Sequence, residues 1–215
     1  MTEPGEDPVA PPAALIIARA PRDPAALAGL APLLDAERRA ALQAVLIRRA
    51  AAWAEAAAPG AAFVGVAPAE PLGEVAALLP PGVTAFAADG PAEAIARIGR
   101  GPLLIAGTDC PRLGPAHAVA ALDDLGAGCD VVFGATLEGG WYLAGLREPR
   151  PELLTVAPDA WQRSAGLGPV LQRARELGAE VGMLRHERVL ATPDDVAALL
   201  ADPLLPAELR AALSA

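Results

Sequence analysis

The chain has 215 residues and a formal net charge of −9 at pH 7, and hydrophobic residues make up 53% of it. This length suits one domain with a substantial core. The acidic balance argues against nucleic acid as a partner, because such binding depends on neutralising backbone phosphates. No apolar run reaches the roughly 18 residues of a membrane-spanning helix. All 17 Lys or Arg positions hold Arg, and the lack of Lys excludes Schiff-base chemistry and a phosphate-loop lysine.

The N-terminal segment differs from the rest of the chain. It begins MTEPGEDPVAPPA, which is acidic and proline-rich, unlike the basic start and apolar middle of a signal peptide. We interpret residues 1–12 as a disordered leader and residues 13–215 as one domain. Cys110 and Cys129 are too few for a disulfide framework and lack metal-ligand spacing. These features predict a cytoplasmic protein.

Short apolar runs alternate with longer segments rich in Ala, Leu, Glu and Arg. This alternation predicts right-handed crossovers and a single three-layer α/β/α domain with a mainly parallel sheet. Asp35 is the expected N-cap of the first helix, and Thr192 with Asp195 forms a capping box for a late one. In chain order the predicted elements are strand 13–19, helix 35–58, strand 61–67, helix 72–79, strand 83–88, helix 91–99, strand 103–106, helix 115–126, strand 130–133, strand 141–146, helix 167–178, strand 180–185 and a helix from Pro193.

In such sheets, ligands bind outside the carboxyl ends of the strands. At that edge, only residues 107–112 and 137–141 concentrate polar residues or glycine. Residues 107–112 contain Gly107-Thr108-Asp109-Cys110-Pro111. Here an acid follows directly after a buried strand, and Pro111 ends the strand. Asp109 either holds a divalent cation at the phosphates of a nucleotide or is a turn residue that bonds nearby backbone. Position alone favours neither alternative.

The other loop reads Leu137-Glu138-Gly139-Gly140-Trp141-Tyr142. Its paired glycines allow the backbone to approach a ligand closely or to adopt a positive φ. Glu138 is placed to meet a sugar hydroxyl, and Trp141 or Tyr142 to pack against a ring. The alternative is a hairpin or bulge whose aromatic residues fill the core, and strand alternation favours that alternative for Trp141.

Taken together, the two strings resemble DUF2064, a glycosyltransferase-A-like family related to the guanylyltransferases of deazaflavin-cofactor biosynthesis. The similarity begins at Ala18-Arg19-Ala20-Pro21, includes both loops, and ends at Thr192-Pro193-Asp194-Asp195. It implies the nucleotide-diphospho-sugar transferase (GT-A) fold, and nucleotidyl or glycosyl transfer from an NTP or nucleotide-sugar with Mg²⁺ or Mn²⁺ on Asp109. The site residues implied are Asp109 and Glu138 for catalysis, and Arg19, Arg22, Thr108, Gly139, Gly140, Trp141, Tyr142 and Arg163 for substrate binding.

Two stretches depart from the family pattern. The family's first loop is rich in Lys, Arg and Thr, and this chain has Ala25, Leu27, Ala28 and Gly29 at four of those positions. The lost side chains would have given charge and hydrogen-bond donors to a triphosphate. The family also carries aspartates just before its Thr-Pro-Glu-Asp string, whereas residues 188–191 here contain no acid.

The sequence therefore leaves two functions open. One is a transferase that uses a divalent cation, and the other is a non-catalytic descendant of the fold that serves as a binding or interaction module. A Rossmann-type oxidoreductase or methyltransferase is disfavoured, because no G-x-G-x-x-G follows the first strand. The expected partner is a nucleotide or nucleotide-sugar, not nucleic acid or a membrane. We expect His117 to be a surface or structural residue, and Cys110 not to act as a nucleophile.

Overall fold

One sheet organises the computed structural model, which describes residues 10–68, 71–154 and 166–214. Within those residues the strands are β1 (Ala13–Ala18), β2 (Ala62–Val66), β3 (Val83–Ala87), β4 (Leu103–Ala106), β5 (Val131–Thr136), β6 (Trp141–Leu146) and β7 (Val181–Glu187). Their order in the sheet is β3-β2-β1-β4-β6-β5-β7. Strand β6 runs antiparallel to β4 and β5, and every other neighbouring pair is parallel.

Helices connect the strands and cover both faces of the sheet. They are α1 (Ala36–Ala57), α2 (Leu72–Ala76), α3 (Pro91–Ile98), α4 (Pro115–Gly126), α5 (Leu167–Glu176), α6 (Pro193–Leu200) and α7 (Ala207–Ser214). The β1–α1–β2 connection moves one way along the sheet, and β3–α3–β4 moves back. Because such crossovers are right-handed, α1 and α3 lie on opposite faces. The predicted α/β class, with a mainly parallel sheet, is confirmed.

The core has a main part and a smaller satellite. All residues of β1, β4, β5 and β6 are buried, as expected of strands covered on both faces. The satellite joins Leu30 and Leu34, which lie between β1 and α1, to α1 and to the two C-terminal helices. Its buried members are Leu30, Leu34, Leu42, Leu46, Leu190, Val196, Leu199, Leu205, Leu209 and Leu213. The satellite thus fastens the segment between β1 and α1 to the C-terminal end of the chain.

Strand β5 is longer than predicted. It continues through Gly134 to Thr136 and returns as β6, so residues 137–140 form a hairpin with a bulge near Gly134. The predicted strand ended at residue 133, immediately before Gly134. In the fold this glycine has a packing reason, because a Cβ at Gly134 would overlap the ring of Tyr142.

The predicted helix caps are confirmed. Asp35 accepts a hydrogen bond from the backbone N–H of Arg38 at 2.9 Å. Thr192 and Asp195 form the reciprocal capping box at the start of α6. Among the described residues, no helix combines the length and apolar character that crossing a bilayer requires.

Removing the Thr192 cap should weaken the fold modestly. The Thr192 hydroxyl donates to Asp195 Oδ2 at 2.8 Å and accepts from the backbone N–H of Asp195 at 3.3 Å. We expect Thr192→Ala to lower the free energy of unfolding by about 1 kcal/mol, measured by urea denaturation. Thr192→Ser keeps the hydroxyl and is the control. An alanine variant as stable as wild type would contradict this role.

Candidate ligand-binding pocket

A pocket of about 320 Å³ opens at the carboxyl edge of the sheet, between the ends of β1 and β4. This is where the chain reverses its direction along the sheet, the position at which open α/β sheets bind ligands. The first loop, defined here as residues 19–35, forms one wall. The lining residues are Arg19, Ala25, Ala26, Leu27, Ala28, Gly29, Gln43, Thr108, Asp109, Leu190 and Ala191.

Asp109 supplies the acidic group of this pocket. Its side chain is only partly exposed, and its backbone C=O accepts a hydrogen bond from Leu190 N–H at 2.7 Å. Burial raises the pKa of the Asp109 carboxyl to about 6, against the weaker lowering effect of a backbone hydrogen bond. The carboxyl therefore changes its protonation state close to neutral pH.

Gln43 links the two strand ends that flank the pocket. Its Nε2 donates to the backbone C=O of Arg19 at 3.0 Å and to Thr108 Oγ1 at 3.2 Å. The Arg19 guanidinium forms an ion pair with Asp23 at 3.1 Å. Sequence reasoning missed Gln43. The signal was available, because Gln43 is a polar residue at helical spacing from the buried apolar Ile47.

The first loop contributes mainly carbon to the pocket. Leu27 adopts a left-handed conformation with φ of 51°. Gly29 lies so close to Ala191 that a Cβ would overlap the Ala191 C=O. Leu30 and Leu34 then anchor the loop in the satellite cluster. Gly29, Leu30 and Leu34 thus pack this loop against the C-terminal part of the chain.

The residues present do not fit a divalent cation held by the protein. Asp109 is the only acid lining the pocket in the part of the chain that the structure describes. Across those same residues, no three His, Cys, Asp or Glu side chains are grouped closely enough to hold a metal ion. Mg²⁺ and Mn²⁺ prefer several oxygen ligands. Ala191, within the stretch where the resemblance implies a second acid, contributes only a methyl group.

Several predicted site residues lie away from this pocket. Arg22 is exposed and forms an ion pair with Glu74 at 3.2 Å. It lines two other cavities, of about 300 and 510 Å³. Glu138 is exposed and Gly139 has φ of 89°, both at the hairpin tip. Gly140 is buried, and its N–H donates to Thr136 Oγ1 at 2.9 Å. Arg163 lies outside the described residues. Of the predicted set, the pocket brings together Arg19, Thr108 and Asp109.

Trp141 and Tyr142 point into the core. The Trp141 ring packs on Phe133, with ring centroids 6.2 Å apart. The Tyr142 ring meets His117 edge-on at 5.4 Å, and its hydroxyl donates to the Arg185 C=O at 3.2 Å. Neither side chain lines the pocket. The hairpin with a bulge, which was the alternative for this loop, is the structure observed.

Cys110 and His117 are both buried. Burial raises the pKa of the Cys110 thiol, with Asp109 adding to the effect, so its thiolate is suppressed. His117 is buried, and its Nδ1 accepts the Gly114 N–H at 3.1 Å while Nε2 lies 3.3 Å from Glu187 Oε1. The expectation that Cys110 is not a nucleophile agrees with this burial, and of the two options for His117 the structural one holds.

Residues 87–161, which include Asp109 and the hairpin, match the family model DUF2064, described as an uncharacterized protein conserved in bacteria. The predicted resemblance to DUF2064 is confirmed over these residues. The matched range excludes the first loop and Ala191. No curated protein sequence matches the chain.

A solved structure from Desulfovibrio desulfuricans G20, named “putative nucleotide-diphospho-sugar transferase”, is similar to most of the chain. The two share 20% sequence identity with a TM-score of 0.76, over 94% of this chain and 93% of that one. At this identity the likeness shows that the two chains share a fold.

Proposed function

We propose that the protein binds a nucleotide or nucleotide-sugar in the pocket at Asp109, and that it does so without a cation held between two protein acids. The observation that carries this is the lining of the pocket. Arg19, Thr108 and Asp109 meet at the reversal point of the sheet, while Ala191 contributes no carboxylate beside Asp109. The pocket therefore keeps the means to hold a ligand but lacks a protein-built metal site.

The fold supports the class of ligand. The Desulfovibrio desulfuricans G20 protein of the same fold is named for nucleotide-diphospho-sugar transfer. Fold alone does not establish activity, so the reaction depends on the groups in the site. A non-catalytic binding protein is the function that this lining favours.

A second candidate is a transferase whose ligand completes the coordination of a divalent cation on Asp109. The observation in its favour is that Asp109 lies at the carboxyl edge and is mostly ionised above pH 6. Phosphate oxygens of the ligand would have to supply most of the coordination, as they often do for Mg²⁺.

Thermal unfolding distinguishes these candidates. ATP, GTP, CTP, UTP, UDP-glucose and GDP-mannose are each titrated at pH 7.5, with and without Mn²⁺. A ligand at 100 times its Kd stabilises a folded protein by about 2.7 kcal/mol. We expect at least one ligand to raise the melting temperature without Mn²⁺. A rise that requires Mn²⁺ and disappears in Asp109→Ala would favour the transferase instead.

Two variants show whether the binding occurs in this pocket. Ala191→Phe places a ring in the pocket and should abolish the stabilisation. Ala197→Phe, on the exposed side of α6, is the matched control and should bind like wild type. If none of the ligands stabilises the wild-type protein at millimolar concentration, both candidates are contradicted.

A further inference from the structure

The orientation of the Gln43 amide is determined by its neighbours. The backbone oxygen of Arg19 can only accept a hydrogen bond, so the amide atom 3.0 Å from it is Nε2 and not Oε1. The same nitrogen donates to Thr108 Oγ1 at 3.2 Å. These two bonds use both hydrogens of the amide. Its oxygen, Oε1, has no hydrogen-bond partner among the described residues.

The Gln43 oxygen is an unused acceptor at the pocket. Gln43 is only 3% exposed and lines the pocket. Within the described residues, no hydrogen bond to Oε1 is present. Although most of Gln43 is buried, its Oε1 therefore still reaches solvent. An amide oxygen that reaches solvent inside a pocket can accept a hydrogen bond from the N–H or O–H group of a ligand.

Thr108 adds a donor beside this acceptor. Its Oγ1 accepts the hydrogen bond from Gln43, so its own hydroxyl hydrogen can be donated to a ligand. The two side chains therefore present a neighbouring acceptor and donor. This pairing matches the hydroxyl groups of a sugar or the N–H and C=O groups of a nucleobase.

The charges of the pocket do not favour phosphate. Among the described residues that line the pocket, Arg19 is the one with a cationic side chain. Its guanidinium forms an ion pair with Asp23 at 3.1 Å. The Asp109 carboxyl lines the same pocket and, when ionised, adds negative charge to it. Tight phosphate binding depends on charge-assisted hydrogen bonds, typically from Arg, Lys or helix N-termini.

We propose that Gln43 is a specificity residue whose Oε1 accepts a hydrogen bond from the uncharged part of the ligand, a nucleoside or sugar. This inference rests on the proposed function and narrows it, because the pocket then recognises N–H and O–H groups and not phosphates. The volume of about 320 Å³ lies at the small end of the range of ligand pockets, which suits such a fragment.

The first test compares charged and uncharged ligands on the wild-type protein. Isothermal titration calorimetry at pH 7.5 measures adenosine, guanosine, cytidine and uridine against their 5′-triphosphates, and glucose and mannose against UDP-glucose and GDP-mannose. We expect the best nucleoside or free sugar to bind within threefold of its phosphorylated form. A phosphorylated form that binds more than tenfold tighter would overturn the inference while leaving the proposed function intact. If no compound binds, the proposed function itself fails.

The second test removes the acceptor. Gln43→Met keeps the length of the side chain and should weaken the best uncharged ligand about tenfold. Gln172→Met is the matched control, because Gln172 is exposed on α5 and, among the described residues, its side chain bonds Glu176 alone, at 3.2 Å. Equal affinity in Gln43→Met and wild type would overturn the assignment.

A ligand-side comparison separates contact from a structural effect. The 2′-deoxy, 3′-deoxy or N-methyl analogue of the bound compound that lacks the donor should lose about tenfold on wild type. The same analogue should lose nothing further on Gln43→Met. If Gln43→Met does not fold, the first test still decides, because it compares charged and uncharged ligands on the wild-type protein alone.

Discussion

Ala191→Asp is expected to tighten Mn²⁺ binding by a factor on the order of 100, because it places a second carboxylate in the pocket of Asp109. Ala191 is exposed and lines the same pocket as Asp109, and its neighbour Leu190 is bonded to the Asp109 backbone. Two carboxylates provide oxygen ligands that one cannot, and their negative charges attract the cation. Calorimetric titration with Mn²⁺ at pH 7.5 measures the affinity of the variant and of wild type.

The same variant should be less stable than wild type without metal. The two carboxylates repel each other in a partly buried pocket, and Mn²⁺ should restore the melting temperature. Ala191→Asn is the matched control, since it has nearly the same shape without the charge. If the Asn and Asp variants bind Mn²⁺ equally, Ala191 is not the position that limits metal binding.

Asp109→Asn should stabilise the protein by roughly 2 kcal/mol at pH 7.5 and leave its stability nearly unchanged at pH 4. Burial raises the pKa of the Asp109 carboxyl from 3.8 to about 6 in the folded state. A shift of one pKa unit corresponds to about 1.4 kcal/mol, and partial exposure of the side chain reduces the full effect. The folded wild-type protein therefore tolerates the charged carboxylate less well than the unfolded chain does.

The direction of the pH dependence follows from the raised pKa. The protonated carboxyl is favoured in the folded state, so its contribution to stability is complete below pH 3.8 and is lost as the pH rises through 6. Asn carries no charge, so the difference between variant and wild type opens between pH 4 and 6 and stays constant above. Urea denaturation at pH 4, 5, 6 and 7.5 measures it. Asp89→Asn, at an exposed carboxylate, is the control.

A gain in stability in Asp109→Asn at neutral pH would also bear on function. Groups that lower stability where they stand are typical of sites that bind or react. A variant equally stable as wild type at every pH would show that the carboxyl is better solvated than its surroundings indicate.

Most of the helices and strands were predictable because their signals are local. The apolar run Leu103–Ala106 lies between Pro102 and Gly107, and β4 begins and ends where that run does. Asp35 and Thr192 cap the helices that follow them, because a cap depends on side chains within three residues. The direction of β6 was not predicted, since antiparallel return depends on the hairpin and on pairing with both β4 and β5.

The candidate site was predictable only in part. Thr108 and Asp109 follow a buried strand, and that pattern alone placed them at the carboxyl edge. Gln43 bonds Arg19 and Thr108, which lie 24 and 65 positions away in the chain. Trp141 and Tyr142 both lie in the core because β6 is covered on both faces of the sheet. The polar position of Gln43 on α1 is visible in the sequence, but its partners are not, because contacts between residues so far apart carry no local signal.

By itself, the sequence determined the α/β class, the order of the helices and strands along the chain, and the edge of the sheet at which Asp109 lies. These features depend on apolar periodicity, caps and strand ends, which act over a few residues. Only the tertiary structure decided what surrounds Asp109. It brings Ala191 and the carbon-rich first loop into the same pocket, and it buries the carboxyl enough to raise its pKa to about 6. Burial and long-range packing are properties of the assembled chain, and they decide what one acid in this pocket can bind.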